Sequence, residues 1–228
     1  MKLLARMMVL LSFLVMGNYA HAASNSVYMD QVGDGSTISI TQSGSSNEIG
    51  SSSTRSTFNG NNNNVSVDQI GNGNITHMQV YATGATITKN IIGNTNTTNL
   101  NCGGMGTSCG ASTISNTITG DSNSVTHNVD GLTNTSVTIN SNSNTVTIND
   151  TSSAIAGSKN TVNLSGGDSN NVAITQAGVA ATAGHEVDLT ILGATNSTDF
   201  KQGGTVDSKI VSNITGSGNT LSVKSNHP

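Results

Sequence analysis

Short runs in which Val or Ile alternates with Thr, Ser or Asn recur along this chain, and each run follows a cluster of Asn, Gly, Ser or Asp. The clearest are Thr37-Ile38-Ser39-Ile40-Thr41-Gln42, Val65-Ser66-Val67-Asp68-Gln69, Ser136-Val137-Thr138-Ile139-Asn140 and Thr145-Val146-Thr147-Ile148-Asn149. Thr161 to Leu164, Val172 to Gln176, Val187 to Ile191 and Leu221 to Val223 follow the same rule, with weaker members around Ile75, Ile87, Leu100, Ile114, Val125 and Ile210. A period of two places Val and Ile on one face of an extended strand and the polar residues on the other. Branching at Cβ suits a pleated surface and costs rotamer freedom in a helix. After residue 22, no Leu/Ala/Glu/Lys run at helical spacing occurs.

The turns repeat as well. Gly71-Asn72-Gly73-Asn74, Gly120-Asp121-Ser122-Asn123, Gly167-Asp168-Ser169-Asn170 and Gly216-Ser217-Gly218-Asn219 are versions of one motif. Gly and Asn tolerate the positive φ that tight turns demand. Two strands and two turns make a coil of about 22 residues, so eight or nine coils fill the chain beyond residue 22. At about 4.8 Å per coil the stack is on the order of 40 Å long. Ser, Thr, Asn and Gly make up about half of the sequence, while aromatic residues are 3% and charged residues 9%. That apolar supply is thin for a wide sandwich core but sufficient for a core one or two side chains thick. The expected fold is all-β, a β-solenoid of stacked strand-turn-strand coils. With a net charge of -4, the chain lacks the basic surface that nucleic acid requires.

Residues 1–22 are of a different kind. Lys2 and Arg6 precede an apolar run from Met7 to Met16 broken only by Ser12, and Ala20-His21-Ala22 has the small-x-small form of a cleavage site before Ala23. This is the pattern of a secretory signal peptide; its apolar stretch is short for a membrane anchor, the alternative reading. Export and removal of this segment are expected, leaving residues 23–228 as one repeat domain with no membrane span.

The residues Ser26-(x)4-Gln31-Val32-Gly33, Ile38 to Asn47, and Val65-Ser66-Val67-Asp68-Gln69-Ile70-Gly71-Asn72-Gly73-Asn74-(x)4-Gln79 resemble curlin repeats, as does Gln176-Ala177-Gly178. Curlins are secreted subunits of curli, the amyloid fibres of bacterial surfaces, and their repeat runs Ser-x5-Gln-x-Gly-x2-Asn-x5-Gln. The likeness is best over 26–80. Between Ile87 and Leu164 the strand rhythm persists but the internal Gln is mostly Thr or Asn; the first spacing, Ser26 to Gln31, is one residue short, and 51–64 and 101–111 look like insertions. The resemblance implies inward amides bonded from coil to coil, with Gln31, Gln42, Gln69, Gln79, Gln176, Asn47 and Asn74 as the ladder; ordinary surface amides are the alternative.

Other chemistry is sparse. Cys102 and Cys109 in an exported chain read as a small disulfide loop, with free thiols or metal ligation as alternatives. His77, His127, His185 and His227 are scattered singly, without metal spacing, and are expected at the surface. Gly120-Asp121-Ser122 and Gly167-Asp168-Ser169 resemble a lipase nucleophile motif, but each is the same repeat turn before Asn and a strand. Gly166-Gly167-Asp168 is similar to a calcium-binding nonapeptide roll but occurs once. No enzyme, cofactor or metal site is expected.

The function expected is that of an extracellular, cell-surface fibre subunit that adds head to tail in adhesion and biofilm matrix. Asp30, Asp34, Asp68, Asp130 and Asp150 are the candidate gatekeepers against premature pairing. Its partners would be copies of itself, an export or nucleation apparatus, and a surface. Three alternatives stand beside it: an ice- or surface-binding solenoid using Thr86-Ile87-Thr88, Thr117-Ile118-Thr119 and Thr145-Val146-Thr147, a non-polymerising virion- or spike-type fibre, and a disordered Asn-rich secreted chain.

Overall fold

The computed structural model describes residues 25–226 except 45, 52, 54–55, 72, 94, 104–108, 121, 131–132, 141–142, 151–158, 178–185, 204–208 and 217. The expected signal peptide, with its expected cleavage residues Ala20, Ala22 and Ala23, therefore lies outside the described residues, as do His185 and His227. Fifteen strands follow one another: β1 (Asp30–Val32), β2 (Thr37–Ser43), β3 (Ser56–Asn59), β4 (Asn64–Ile70), β5 (Ile75–Tyr81), β6 (Thr86–Ile92), β7 (Thr97–Cys102), β8 (Ser112–Thr119), β9 (Val125–Val129), β10 (Thr133–Asn140), β11 (Ser143–Asp150), β12 (Lys159–Gln176), β13 (Glu186–Gly203), β14 (Lys209–Thr215) and β15 (Thr220–Asn226). Among the described residues there is no helix.

Every pairing between these strands is parallel, and from β1 to β11 each strand pairs with the next but one. The chain thus winds as a parallel β-solenoid with two ladders. One contains β2, β4, β6, β8 and β10, then the first halves of β12 and β13, then β14. The other contains β1, β3, β5, β7, β9 and β11, then the second halves of β12 and β13, then β15. β12 and β13 run through the corner between ladders and so join both into a single sheet.

The path from β1 to β12 makes about six turns, and β13 to β15 extend both ladders beyond it. The expectation of eight or nine coils compares with eight rungs in the first ladder and nine in the second. It rests on a uniform coil of about 22 residues, whereas equivalent positions in successive coils are 21 to 27 residues apart. The stretch 51–64 contributes β3 to the second ladder, so part of it is a rung.

Strict alternation fills the interior. In β8, β10 and β11 the burial pattern alternates residue by residue, with Ile114, Ile118, Val137, Ile139, Val146 and Ile148 fully buried. Inward side chains from both ladders merge into two apolar clusters, one centred on residues such as Phe58, Val65, Ile87 and Leu100, the other on Ile118, Ile139, Val172 and Phe200. Each buried Val or Ile contributes about 1.5–3 kcal/mol by leaving water. A narrow core repeated along an axis accumulates that gain without needing many aromatic residues.

Candidate functional site

The feature that runs through the whole molecule is a column of asparagines at one corner. Asn47 Nδ2 donates to Asn25 Oδ1 at 3.0 Å, and Asn74, Asn96, Asn123, Asn144, Asn170 and Asn196 each donate at 2.6 Å to the asparagine one coil before. Asn219 donates to Asn196 and ends the series. The interior members are buried. An amide carries both a donor and an acceptor, so identical residues stacked coil upon coil satisfy each other in one direction. Asn47 and Asn74 are the two expected members. Of the other seven, Asn123, Asn170 and Asn219 stand at the last position of the Gly-x-x-Asn turn motif, and Asn25, Asn96, Asn144 and Asn196 carried no expectation.

The glutamines behave less uniformly. Gln69 Nε2 donates to Gln42 Oε1 at 2.8 Å, and Gln202 Nε2 donates to Gln176 Oε1 at 3.0 Å. These are two short ladders on opposite faces, one in the first coils and one in the last. Gln202 was missed because the run Thr198-Asp199-Phe200-Lys201-Gln202 has a single apolar residue. Gln31 is not part of a glutamine ladder. It lies in register with Phe58, which offers no hydrogen bond, and its amide turns to Ser36 Oγ at 2.9 Å. Gln79 faces outward on β5 between Thr57 and Asn101, and bonds the Tyr81 hydroxyl. A second, outward asparagine series follows in that same column, Asn149 to Asn128 at 2.9 Å and Asn128 to Asn101 at 2.7 Å.

A glycine column lies beside the main asparagine ladder. A Cβ placed on Gly71 would overlap the Gly44 carbonyl oxygen, one on Gly93 the Gly71 oxygen, and one on Gly120 the Gly93 oxygen. Backbone bonds tie the same corner together, Gly44 N to Ile70 O, Gly71 N to Ile92 O and Gly93 N to Thr119 O, each at 2.9 Å.

Among the buried polar side chains of the interior is a lysine. The inward column Ile40, Val67, Lys89, Asn116, Val137, Val162 changes character at its third and fourth members. Lys89 is fully buried; its Nζ donates to Thr98 Oγ1 and approaches His127 Nε2 at 3.4 Å. Burial lowers the Lys89 pKa from 10.5 to about 7, and burial followed by the Lys89 charge lowers that of His127. With Nε2 accepting, the imidazole proton rests on Nδ1, which finds no partner among the described residues, nor does either polar atom of Asn116. The surface position expected for His127 is therefore wrong: strand alternation puts it inside with Val125 and Val129.

Cys102 and Cys109 form a disulfide, Cα–Cα 5.4 Å, closing the loop between β7 and β8. Among the described residues no group of three His, Cys, Asp or Glu could hold a metal. Asp150 is buried rather than at the surface expected of a gatekeeper. The Thr triplets considered for a flat array fall in separate places: Thr86 and Thr88 lie at the start of one ladder's strands, Thr117 and Thr119 at their end, and Thr145 and Thr147 on the other ladder. No protein family model, curated protein or solved structure matches the chain.

The asparagine column predicts a position effect. Asn123→Ala strands two buried groups, Asn96 Oδ1 and Asn144 Nδ2, and is expected to cost about 2–4 kcal/mol in urea unfolding. Asn219→Ala, at the open end, is expected to cost under about 1 kcal/mol. Equal losses at both positions would show that the column adds nothing beyond its separate amides.

Proposed function

We propose that this chain is a secreted structural subunit of curli-like extracellular amyloid fibres, adding head to tail in cell adhesion and biofilm matrix. The observation that carries the reading is that, among the described residues, no strand covers either end of the stack. β14 and β15 each pair only with β13 there, and β1 and β2 only with β3 and β4, which leaves their outer backbone edges open. Residues of β15 in inward columns remain exposed, Leu221 at 50% and Val223 at 48%, where their register partners Thr198 and Phe200 one coil earlier are buried. An open parallel edge backed by uncovered apolar side chains is a template for another strand. Because the two ends differ, their association is heterologous and does not close, which gives a filament. The Gln42–Gln69 and Asn47–Asn74 pairs, inside the stretch most like curlin repeats, support the fibre class.

The purified protein is expected to convert from monomer to unbranched filaments with a meridional reflection near 4.7–4.8 Å, followed by sedimentation, electron microscopy and fibre diffraction. A protein that stays monomeric at millimolar concentration and gives no such reflection removes the fibre reading.

A further inference from the structure

The rod carries opposite charges at its two ends, in a single column. The outward positions Asp30, Thr57, Gln79, Asn101, Asn128, Asn149, Thr175, Lys201 and Lys224 are in register from the first coil to the last. The only charges in it are Asp30 at one end and Lys201 and Lys224 at the other. Asp30 is exposed. Lys224 sits directly over Lys201, two ammonium groups one strand spacing apart, with Lys201 already paired to Asp199 at 3.1 Å.

The outermost rungs share this polarity. Among the described residues, β1, β2 and the turn between them carry Asp30 and Asp34 and no base, whereas β14 and β15 carry Lys209 and Lys224 and no acid; the acids of the last coils, Glu186 and Asp199, lie one rung further in and are paired to lysines. Backbone bonds already lay residues 25–29 along the second ladder, Asn25 N to Ser46 O, Val27 N to Glu48 O and Met29 O to Thr57 N. The outer edge of that segment has the length and polarity of the edge that β15 presents.

We propose that a second copy of the chain seats its segment 25–32 on β15 in the register that places Asn25 on Asn219 and Asp30 on Lys224. This rests on the self-assembly reading and specifies its junction. In that register Val27 covers Leu221 and Met29 covers Val223, apolar on apolar in both inward columns. On the other ladder β2 meets β14, with Ile38 over Ile210 and Thr37 over Lys209. Asn25 uses one amide hydrogen on Ser43 O at 3.0 Å and has a second to give to Asn219, whose Oδ1 ends the internal series. The asparagine column then continues from copy to copy without a break. A shift by one residue would turn every inward side chain out, and a shift by two would leave Asp30 over Ser222 or Asn226 and the two lysines unrelieved.

The test is charge reversal with rescue, read as the critical concentration for filament formation at low salt. Asp30→Lys and Lys224→Asp each leave like charges stacked at the junction and are expected to raise it roughly tenfold. The double variant Asp30→Lys/Lys224→Asp restores the alternation and is expected to return to within about threefold of the parent protein. Thermal melts of the monomers check that neither end substitution disturbs folding. Single variants that assemble like the parent overturn this register while leaving self-assembly standing, and so does a double variant that remains as impaired as the singles. A parent protein that never assembles removes the fibre reading and this junction together.

Discussion

Lys89→Met is expected to make the protein more stable by about 2–4 kcal/mol at pH 7 and to flatten its stability between pH 7 and 10.5. The native amine is buried away from any carboxylate partner among the described residues, and desolvation brings its pKa to about 7 from 10.5. Across that window the unfolded chain holds an ammonium and the folded chain a neutral amine. The unfolded state binds more protons, so stability rises with pH by about 1.4 kcal/mol per unit, roughly 5 kcal/mol in total. Below pH 7 both states carry the charge and this contribution is constant and unfavourable. His127 continues the trend: its folded pKa is lowered, so acidification below 6.5 favours the unfolded imidazolium. Methionine fills a similar volume and removes the amine, at the cost of leaving the Thr98 hydroxyl without its partner. Urea unfolding followed by circular dichroism at pH 6, 8 and 10 checks it. A parent protein whose stability does not rise between pH 7 and 10 would show that Lys89 reaches water in the folded state.

Why such a group sits in the core bears on how much of this molecule can be read from its sequence. The alternation Ile87, Lys89, Ile91 assigns Lys89 to the inward face, and Val125, His127, Val129 does the same for His127. The positional signal was present at both, yet His127 was expected at the surface as one of several singly scattered histidines, and Lys89 carried no expectation. The strands with two β-branched inward residues, such as β10 with Val137 and Ile139, were legible from alternation alone. β3 and the second half of β13 were not, because their inward positions are Ser56 and Phe58, and Thr198, Phe200 and Gln202. With one apolar residue each, these segments take their conformation from the rungs on either side rather than from their own pattern. The asparagine column was legible only in part for a similar reason. Asn is favoured in turns by its own conformational preferences, so a turn asparagine gives no sign that it also stacks. The stacking depends on coil length, and coils of 21 to 27 residues defeat a search at fixed period. In the first coils the glycines beside the column, Gly44, Gly71, Gly93 and Gly120, hold the corner in close contact while chain length changes between 22 and 27 residues elsewhere in the coil.

That dependence gives the second large effect. Gly93→Ala is expected to abolish the folded state, a loss of at least about 4–5 kcal/mol, although alanine is the smallest possible change. The cause is space rather than backbone conformation. Gly93 is not among the glycines with positive φ, but its added Cβ would overlap the Gly71 carbonyl oxygen, and Asn74 Oδ1 closes the other side. Neither neighbour can yield. The Gly71 peptide is held by its bond to Ile92 O, and Asn74 is held between Asn47 and Asn96 in the ladder. Relief would require parting the two coils, which breaks the backbone bonds of β4 to β6 and the asparagine column together. Gly35→Ala is the matched control. Gly35 has φ +65 with nothing within 4 Å of an added Cβ, so it is expected to lose only about 1–2 kcal/mol of left-handed strain. Circular dichroism and urea unfolding of the two variants decide between close approach and conformation. If Gly93→Ala folds with a loss no larger than Gly35→Ala, the coils are not pressed together at this corner, and a ladder resting on that contact could not hold the rungs at the spacing a fibre requires.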